Sequence, residues 1–183
     1  AMPRFVADSF RHIFEGPITI VPPCVKVPEV AIDGRMHFKL DNGRYYFVFS
    51  FDYFSFPQRK NPLAVVRAFR QAFPDLATPV GLIVKSTGAV GHFPKVKQEL
   101  QDATRQDGRI EIMDTTLDRT EMLALLKAAD CYVSLHRAEG FGLGMAEAMA
   151  FGKPVIATGY SGNAEFVTPE TAYPIPYKLR TVP

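Results

Sequence analysis

Two glutamates eight positions apart, Glu139 and Glu147, frame the densest set of chemically unusual residues in this 183-residue chain, the run LHRAEGFGLGMAEAMAFGKPVIA. An apolar strand ends near His136, and ligands of open parallel sheets bind beyond the carboxyl ends of the strands. Glu139 follows on the loop. Gly140, Gly142 and Gly144 then let the backbone approach a ligand closely, and the helix that opens next presents free N–H groups that favour an anion. Glu147, on the first turns of that helix, can turn its carboxylate back toward the same crevice and accept two hydrogen bonds from a vicinal diol such as a ribose. A carboxylate pair bracketing an amide-lined loop suits a nucleotide sugar. Taken singly, each feature has a plainer explanation: the glycines make a tight strand-to-helix turn, and Glu147 is a solvated residue that favours the helix dipole. A second element lies in FDYFSFPQRKNP, where Arg59 and Lys60 stand just before a helix N-terminus, placed to neutralise a diphosphate. A solvated basic loop is the competing reading there.

These residues resemble the E-x7-E motif of family-4, or group 1, glycosyltransferases. Glu139, Gly140, Phe141, Gly142, Leu143 and Glu147 match its spacing, and EAMAFGKPVIAT follows as it does in that family. The resemblance runs from FVADSF through PPCVKVPEV and QRKNP to GYSGNAEFVTPETAY, and is specific in the last third. It implies the C-terminal, donor-binding half of a GT-B enzyme: a Rossmann-like, three-layer α/β domain on a mainly parallel sheet. By resemblance, Glu139 faces the transferred sugar, the backbone of Phe141 to Leu143 holds sugar hydroxyls and phosphate, and Glu147 binds the ribose. Lys60 corresponds to a lysine that binds the diphosphate and helps it leave. Arg59 stands in for an arginine that members carry earlier, where this chain has Asp52. Met113 to Leu117 fall beside the base, although ordinary packing explains Met113 equally well. Members have proline at or near Gly144, which predicts a looser loop here.

The implied activity is retaining transfer of a sugar from a UDP-, GDP-, ADP- or dTDP-linked donor to an acceptor hydroxyl on a glycan, lipid or protein. Glu139 and Lys60 are the catalytic candidates. Basic side chains and helix N-termini replace a metal in such a site, and no D-x-D motif or cofactor is expected. The acceptor domain is expected to lie outside this chain, which alone would bind donor and transfer little. Two other readings compete. GFGLG could be a dinucleotide-binding turn for NAD or FAD, although G-x-G-x-G departs from G-x-G-x-x-G and follows the fourth strand rather than the first. The chain could also be a catalytically silent binding module.

The elements that must position these residues are legible from Tyr45 onward, where short apolar runs alternate with helical periodicity, the pattern of a parallel α/β sheet. YYFVFSF, VGLIVK, RIEIM, CYVSL and PVIAT read as strands. Helices are predicted from Asn61 as N-cap, with Leu63, Val66, Phe69 and Phe73 inward; around Lys95 to Arg105, with Val96 and Leu100 inward; from the D-x-x-E capping box of Asp118 and Glu121, with Met122, Leu125 and Leu126 inward; and through MAEAMAF to Gly152 and Pro154. Residues 1–40 read as a linker with a short helix in FVADSFRHIF and a strand at ITIVP, and residues 41–183 as the nucleotide-sugar domain, truncated at both ends. Ala1 before Met2 reads as a cloning remnant.

Composition excludes several classes. A net charge of +2, spread without clusters, predicts no nucleic-acid partner. Cys24 and Cys131 form no disulfide or metal spacing, which fits a cytoplasmic setting. No signal peptide or membrane span is apparent. His12, His37, His92 and His136 are scattered without metal-ligand spacing. His136 either borders the sugar or hydrogen-bonds locally.

Overall fold

The computed structural model describes residues 3–21, 23–88 and 93–181. Ala1, Met2, Pro22 of the Pro-rich crossing, His92, and the closing Val182 and Pro183 lie outside those residues. Six strands, β1 (Tyr45–Asp52), β2 (Val80–Thr87), β3 (Ile110–Asp114), β4 (Cys131–Ser134), β5 (Val155–Thr158) and β6 (Tyr173–Ile175), pair in the order β3-β2-β1-β4-β5-β6, every pair parallel. This is the Rossmann order. Strand order reverses between β1 and β4, so a crevice opens beyond their carboxyl ends.

A parallel sheet covered on both faces needs apolar side chains pointing both ways, and β1 supplies them as YYFVFSF. Tyr46 and Val48 enter one core with Ile83, Tyr132, Val155 and Ala157, while Phe49 and Phe51 enter the other with Leu82, Val84, Ile110 and Val133. The helices, in chain order, are α1 (Arg4–Phe10), α2 (Gly34–His37), α3 (Pro57–Lys60), α4 (Pro62–Ala72), α5 (Pro94–Gln106), α6 (Arg119–Ala128) and α7 (Leu143–Ala150). α6 and α7 bury Leu123, Leu125, Leu126, Met145 and Ala148 against the first face; α4 and α5 bury Val65, Val66, Phe69, Leu100 and Ala103 against the second. Three layers result. Each fully buried Leu or Phe in these cores contributes about 1.5–3 kcal/mol. Among the described residues, no helix is long and apolar enough to cross a membrane.

All five strands read from the sequence are present, and the sixth, Tyr173–Ile175, extends the sheet by three residues. The expected strand at ITIVP is absent: of its described residues, only Val21 forms an isolated bridge. The alternation of Ile18 and Ile20 fits a strand, but a strand exists only through its pairing. The N-terminal helix is shorter than FVADSFRHIF, ending at Phe10. Asn61 precedes α4 as expected, yet it caps nothing with its side chain. Its φ of 58° and ψ of 48° are left-handed, and its amide is used elsewhere. The box at α6 forms as predicted, with the Asp118 side chain accepting from Glu121 N and the Glu121 side chain accepting from Asp118 N.

Candidate functional site

The crevice is built by two loops that leave β1 and β4 and are tied to each other. After β1, the Asp52 carboxylate accepts from Phe54 N (2.8 Å) and starts a single 3-10 turn, Tyr53–Ser55. Phe56 then takes a φ of 57°, a strained value for a residue with a side chain, before the one-turn α3. Residues 59–61 strap this loop to the one after β4. Arg59 O accepts from Arg137 N (2.8 Å), the Arg59 guanidinium donates to Ala138 O (2.9 Å) and Ser55 O (3.2 Å), and Asn61 Nδ2 donates to Leu135 O (2.8 Å). Lys60 Nζ donates to Glu139 Oε2 at 2.5 Å.

Both Glu139 oxygens are thereby engaged. Its Oε2 receives Lys60, and its Oε1 accepts the Gly140 N–H (3.1 Å) with Arg59 Nη1 at 3.7 Å. Burial pushes the carboxyl pKa up, but the Lys60 hydrogen bond and charge, joined by Arg59 and His136, outweigh it and hold the group below its ordinary value. Behind Glu139 stands the loop after β5. Ser161, at a φ of 86°, accepts from Glu139 N (3.1 Å) and donates to Glu139 O, and Gly162 N donates to the same carbonyl (3.2 Å). Gly162 is packed so tightly that a Cβ there would lie 1.7 Å from Gly140 O.

Gly142, at a φ of 91°, turns the chain into α7. The first helical hydrogen bond runs from Ala146 N to Gly142 O, so the N–H groups of Leu143, Gly144 and Met145 precede the ladder at the positive end of the helix. These three residues and Gly142 line a pocket of about 170 Å³ together with Ser50, Lys60, Tyr132, Ser134 and Glu139. Two larger hollows, of about 440 and 460 Å³, lie beside α2 and along β3, away from both glutamates.

A sequence model of the family described as "Glycosyl transferases group 1" matches residues 63–178, more than half of the chain. The chain belongs to the group 1 glycosyltransferases. No curated protein sequence matches it. Among solved structures, it is similar to an Anabaena protein, HepE, in complex with UDP-glucose (20% identity, 78% of this chain and 37% of that one, TM-score 0.63). It is also similar to the Candida albicans trehalose-6-phosphate phosphatase N-terminal domain (17%, 78% and 33%, TM-score 0.62). A UDP-forming trehalose-phosphate synthase from Burkholderia xenovorans is a third (13%, 73% and 36%, TM-score 0.59). At these identities the likeness is one of fold, the Rossmann-like domain of GT-B glycosyltransferases, and the chain spans about a third of the length of these structures.

In this group 1 glycosyltransferase domain, Lys60, Glu139, Gly142 and Leu143 share the pocket. Arg59 reaches Glu139 only at 3.7 Å and spends its guanidinium on two loop carbonyls, so its observed part is structural. Phe141 packs its ring on Phe166 (centroids 5.1 Å apart) and leaves its backbone on the loop. Glu147 is buried, its side chain 3% exposed, and Arg119 Nη2 lies 2.5 Å from its Oε1. That contact is close in charge but misaligned for a hydrogen bond: Glu147 Oε1 is, among the described residues, the buried side-chain polar atom without a hydrogen-bond partner. The reading of Glu147 as a solvated helix residue is overturned.

Gly144 is not the source of a loose loop. It lies in the first turn of α7, where a Cβ would come within 2.7 Å of the Tyr132 hydroxyl, so the tyrosine on β4 fills the space its missing side chain leaves. Tyr132 hydrogen-bonds Ser50 Oγ (2.9 Å), and burial, with Glu139 and Glu147 adding, pushes its pKa up to about 12. His136 is 1% exposed and local in its bonding. Its Nδ1 pairs with Ser134 Oγ (3.0 Å) and its Nε2 with Asn163 Oδ1 (3.1 Å) and Tyr160 O (3.2 Å); burial lowers its pKa. Because Asn163 Nδ2 donates to Thr158 O, its Oδ1 is the acceptor, which places the imidazole proton on Nε2. Met113 and Leu117 pack against the first core. Among the described residues, no three His, Cys, Asp or Glu side chains cluster as a metal site requires.

Sequence reasoning missed Tyr132, Arg119 and Ser161. Small polar residues in GYSGN, directly after a strand that neighbours the acidic loop, were the available signal for Ser161; nothing local marked the other two.

Proposed function

We propose that this domain binds a nucleoside-diphosphate sugar across the β1/β4 switch point and serves retaining transfer of the glycosyl group to an acceptor hydroxyl. The observation that carries this reading is the contrast within the acidic pair. Glu139 is paired with Lys60 beside the α7 amides, whereas Glu147 holds a buried oxygen that lacks a donor. Lys60 and the N–H groups of residues 143–145 supply positive potential where a diphosphate would sit, and the α7 dipole adds to it. Glu147 offers acceptors suited to a ribose diol. Glu139 is held ionised and aimed into the pocket, where a carboxylate stabilises positive charge developing on a departing sugar. Charge on the leaving diphosphate is then met by Lys60 and helix amides without a metal. Arg59 supports this arrangement by bracing the loop.

UDP, GDP, ADP and dTDP sugars remain equal candidates for the donor, and the HepE complex makes the UDP sugars the first to test. The acceptor site belongs to a further domain, which the length of the solved relatives leaves room for. A dinucleotide reading gains nothing: the glycine run follows β4, and residues 52–61 after β1 contain no glycine.

Calorimetry of the 183-residue chain against UDP, GDP, ADP and dTDP, their glucose conjugates, NAD and FAD tests the proposal. A nucleoside diphosphate is expected to bind, and Glu147→Gln to weaken it about ten- to hundredfold, the loss of a hydrogen bond to a charged group. Binding of NAD or FAD alone would overturn it.

A further inference from the structure

Glu147 and Arg119 form an ion pair of unequal partners. The carboxylate is 3% exposed and the arginine side chain 54% exposed. Glu147 comes from the fifth residue of α7, and Arg119 from the first residue of α6, which packs beside it. The oxygen nearest the guanidinium, Oε1, is also the one without a hydrogen bond. Arg119 therefore neutralises Glu147 without satisfying it.

Two other close arginine pairs among the described residues are hydrogen-bonded. Arg109 hydrogen-bonds both oxygens of Asp107, and Arg35 Nη2 donates to Asp130 Oδ2 at 2.7 Å. A half-exposed arginine can turn its guanidinium into water and stay hydrated and charged there, and the buried carboxylate it uncovers then needs other donors in its place. A hydroxyl arriving at Oε1 would supply the aligned donor the guanidinium does not.

We infer that Arg119 is a stand-in cation. It occupies the place at Glu147 Oε1 that the ribose hydroxyls of the donor take, and it turns aside when the nucleotide binds. This rests on the donor-site reading of Glu147. Because the arginine must leave before the diol can dock, it lowers apparent affinity by the fraction of molecules in which the carboxylate is covered. Arg119 is thus a positioning residue: it holds the Glu147 carboxylate in place, and it tunes how tightly any nucleoside diphosphate is held.

The test measures binding of UDP and GDP, and of their 2′,3′-dideoxy forms, to wild type, Arg119→Met, Arg119→Lys and Glu147→Gln. Methionine keeps the aliphatic stem on an exposed first helical position, and lysine keeps the charge should the methionine variant fold poorly. Arg119→Met is expected to bind the ribonucleotides about two- to fivefold more tightly than wild type, the gain from uncovering the carboxylate in every molecule. Arg119→Lys should fall between the two. The gain should vanish with the dideoxy nucleotides, and an Arg119→Met change made on Glu147→Gln should add nothing. Weaker or unchanged ribonucleotide binding by Arg119→Met, while wild type binds normally, overturns the stand-in role alone. An equal gain for the dideoxy forms overturns it too, because the effect would then lie away from the diol. If neither wild type nor variants bind any nucleoside diphosphate, the donor-site reading falls and this inference with it.

Discussion

The loop before β3 and the seam between α6 and α7 each bury a carboxylate against an arginine, and they do so in opposite ways. Asp107 and Arg109 have side chains 2% and 6% exposed. Arg109 donates to both Asp107 oxygens at 3.0 and 2.8 Å, to Asp75 O at 2.7 Å and to Phe73 O at 2.8 Å, and lies over the Phe69 ring. Those hydrogen bonds carry the Asp107 pKa below its ordinary value against the opposing effect of burial. Glu147 and Arg119 are as close, yet a carboxylate oxygen is left without a donor and the cation stays half in water. The first pair saturates its hydrogen bonds and ties chain segments together, while the second leaves one acceptor over, the one the proposed donor diol would fill. The first lies at the amino end of its strand, the second at the carboxyl end of the sheet, where this fold places ligands.

The sharpest way to break that comparison is to remove the structural cation. Arg109→Met leaves Asp107 buried and unpaired and should cost about 3–5 kcal/mol of stability in urea denaturation. Donor affinity of the folded fraction should not change. Glu147→Gln is its mirror: affinity falls, and stability stays within about 1 kcal/mol of wild type, because the arginine it releases is already hydrated. A stability loss for Glu147→Gln as large as that of Arg109→Met would make the two pairs alike. Next in size is Gly162→Ala. Its Cβ would overlap Gly140 O, so the acidic loop must shift, at about 2–3 kcal/mol. Here stability and donor affinity should fall together.

Much of this contrast lay beyond what local sequence can carry. The capping box of Asp118 and Glu121 is a four-residue interaction, and the five longer strands are runs of apolar residues, so pattern and propensity sufficed for both. The acidic pair was legible because both glutamates sit in one loop-helix segment. Arg119 is 28 positions from Glu147 and Ser161 is 22 from Glu139, and only the Rossmann strand order brings them together. Tyr132 and Gly144 fit each other as large and small residues on facing elements, a match that neither residue type announces alone. β6 escaped notice because it is three residues long with Pro174 at its centre. Asn61 misled for a different reason: its type suits a cap, but its amide serves the loop across the crevice.

A smaller effect separates Glu139 from its neighbour. Its folded pKa is depressed, so its contribution to stability is present above the ordinary glutamate value near 4.5 and is lost as pH falls through the folded value. Asp107 behaves in the same sense from its own ordinary value of 3.8. Denaturation of wild type and Glu139→Gln across acid pH should therefore show a shallower acid limb in the variant, with Asp107 and Glu170 contributing to the slope that remains. Identical limbs would mean that the Lys60 contact contributes nothing in solution.

The smallest expected effect is that of Tyr132→Phe. The hydroxyl is buried against the first turn of α7 and bonded to Ser50 Oγ, and both residues line the pocket. With its pKa pushed up to about 12 it stays protonated across physiological pH, so it can donate a hydrogen bond but cannot serve as a base. Removing it leaves the ring in place and frees Ser50 to bond water from the pocket, which limits the stability cost to about 1 kcal/mol. If the hydroxyl only fills the space beside Gly144, donor affinity stays at the wild-type level, and Tyr132 groups with Asp107 as framework. If affinity drops severalfold at unchanged stability, the hydroxyl donates to the bound ligand, and the crevice owns a neutral contact lying within electrostatic reach of both glutamates.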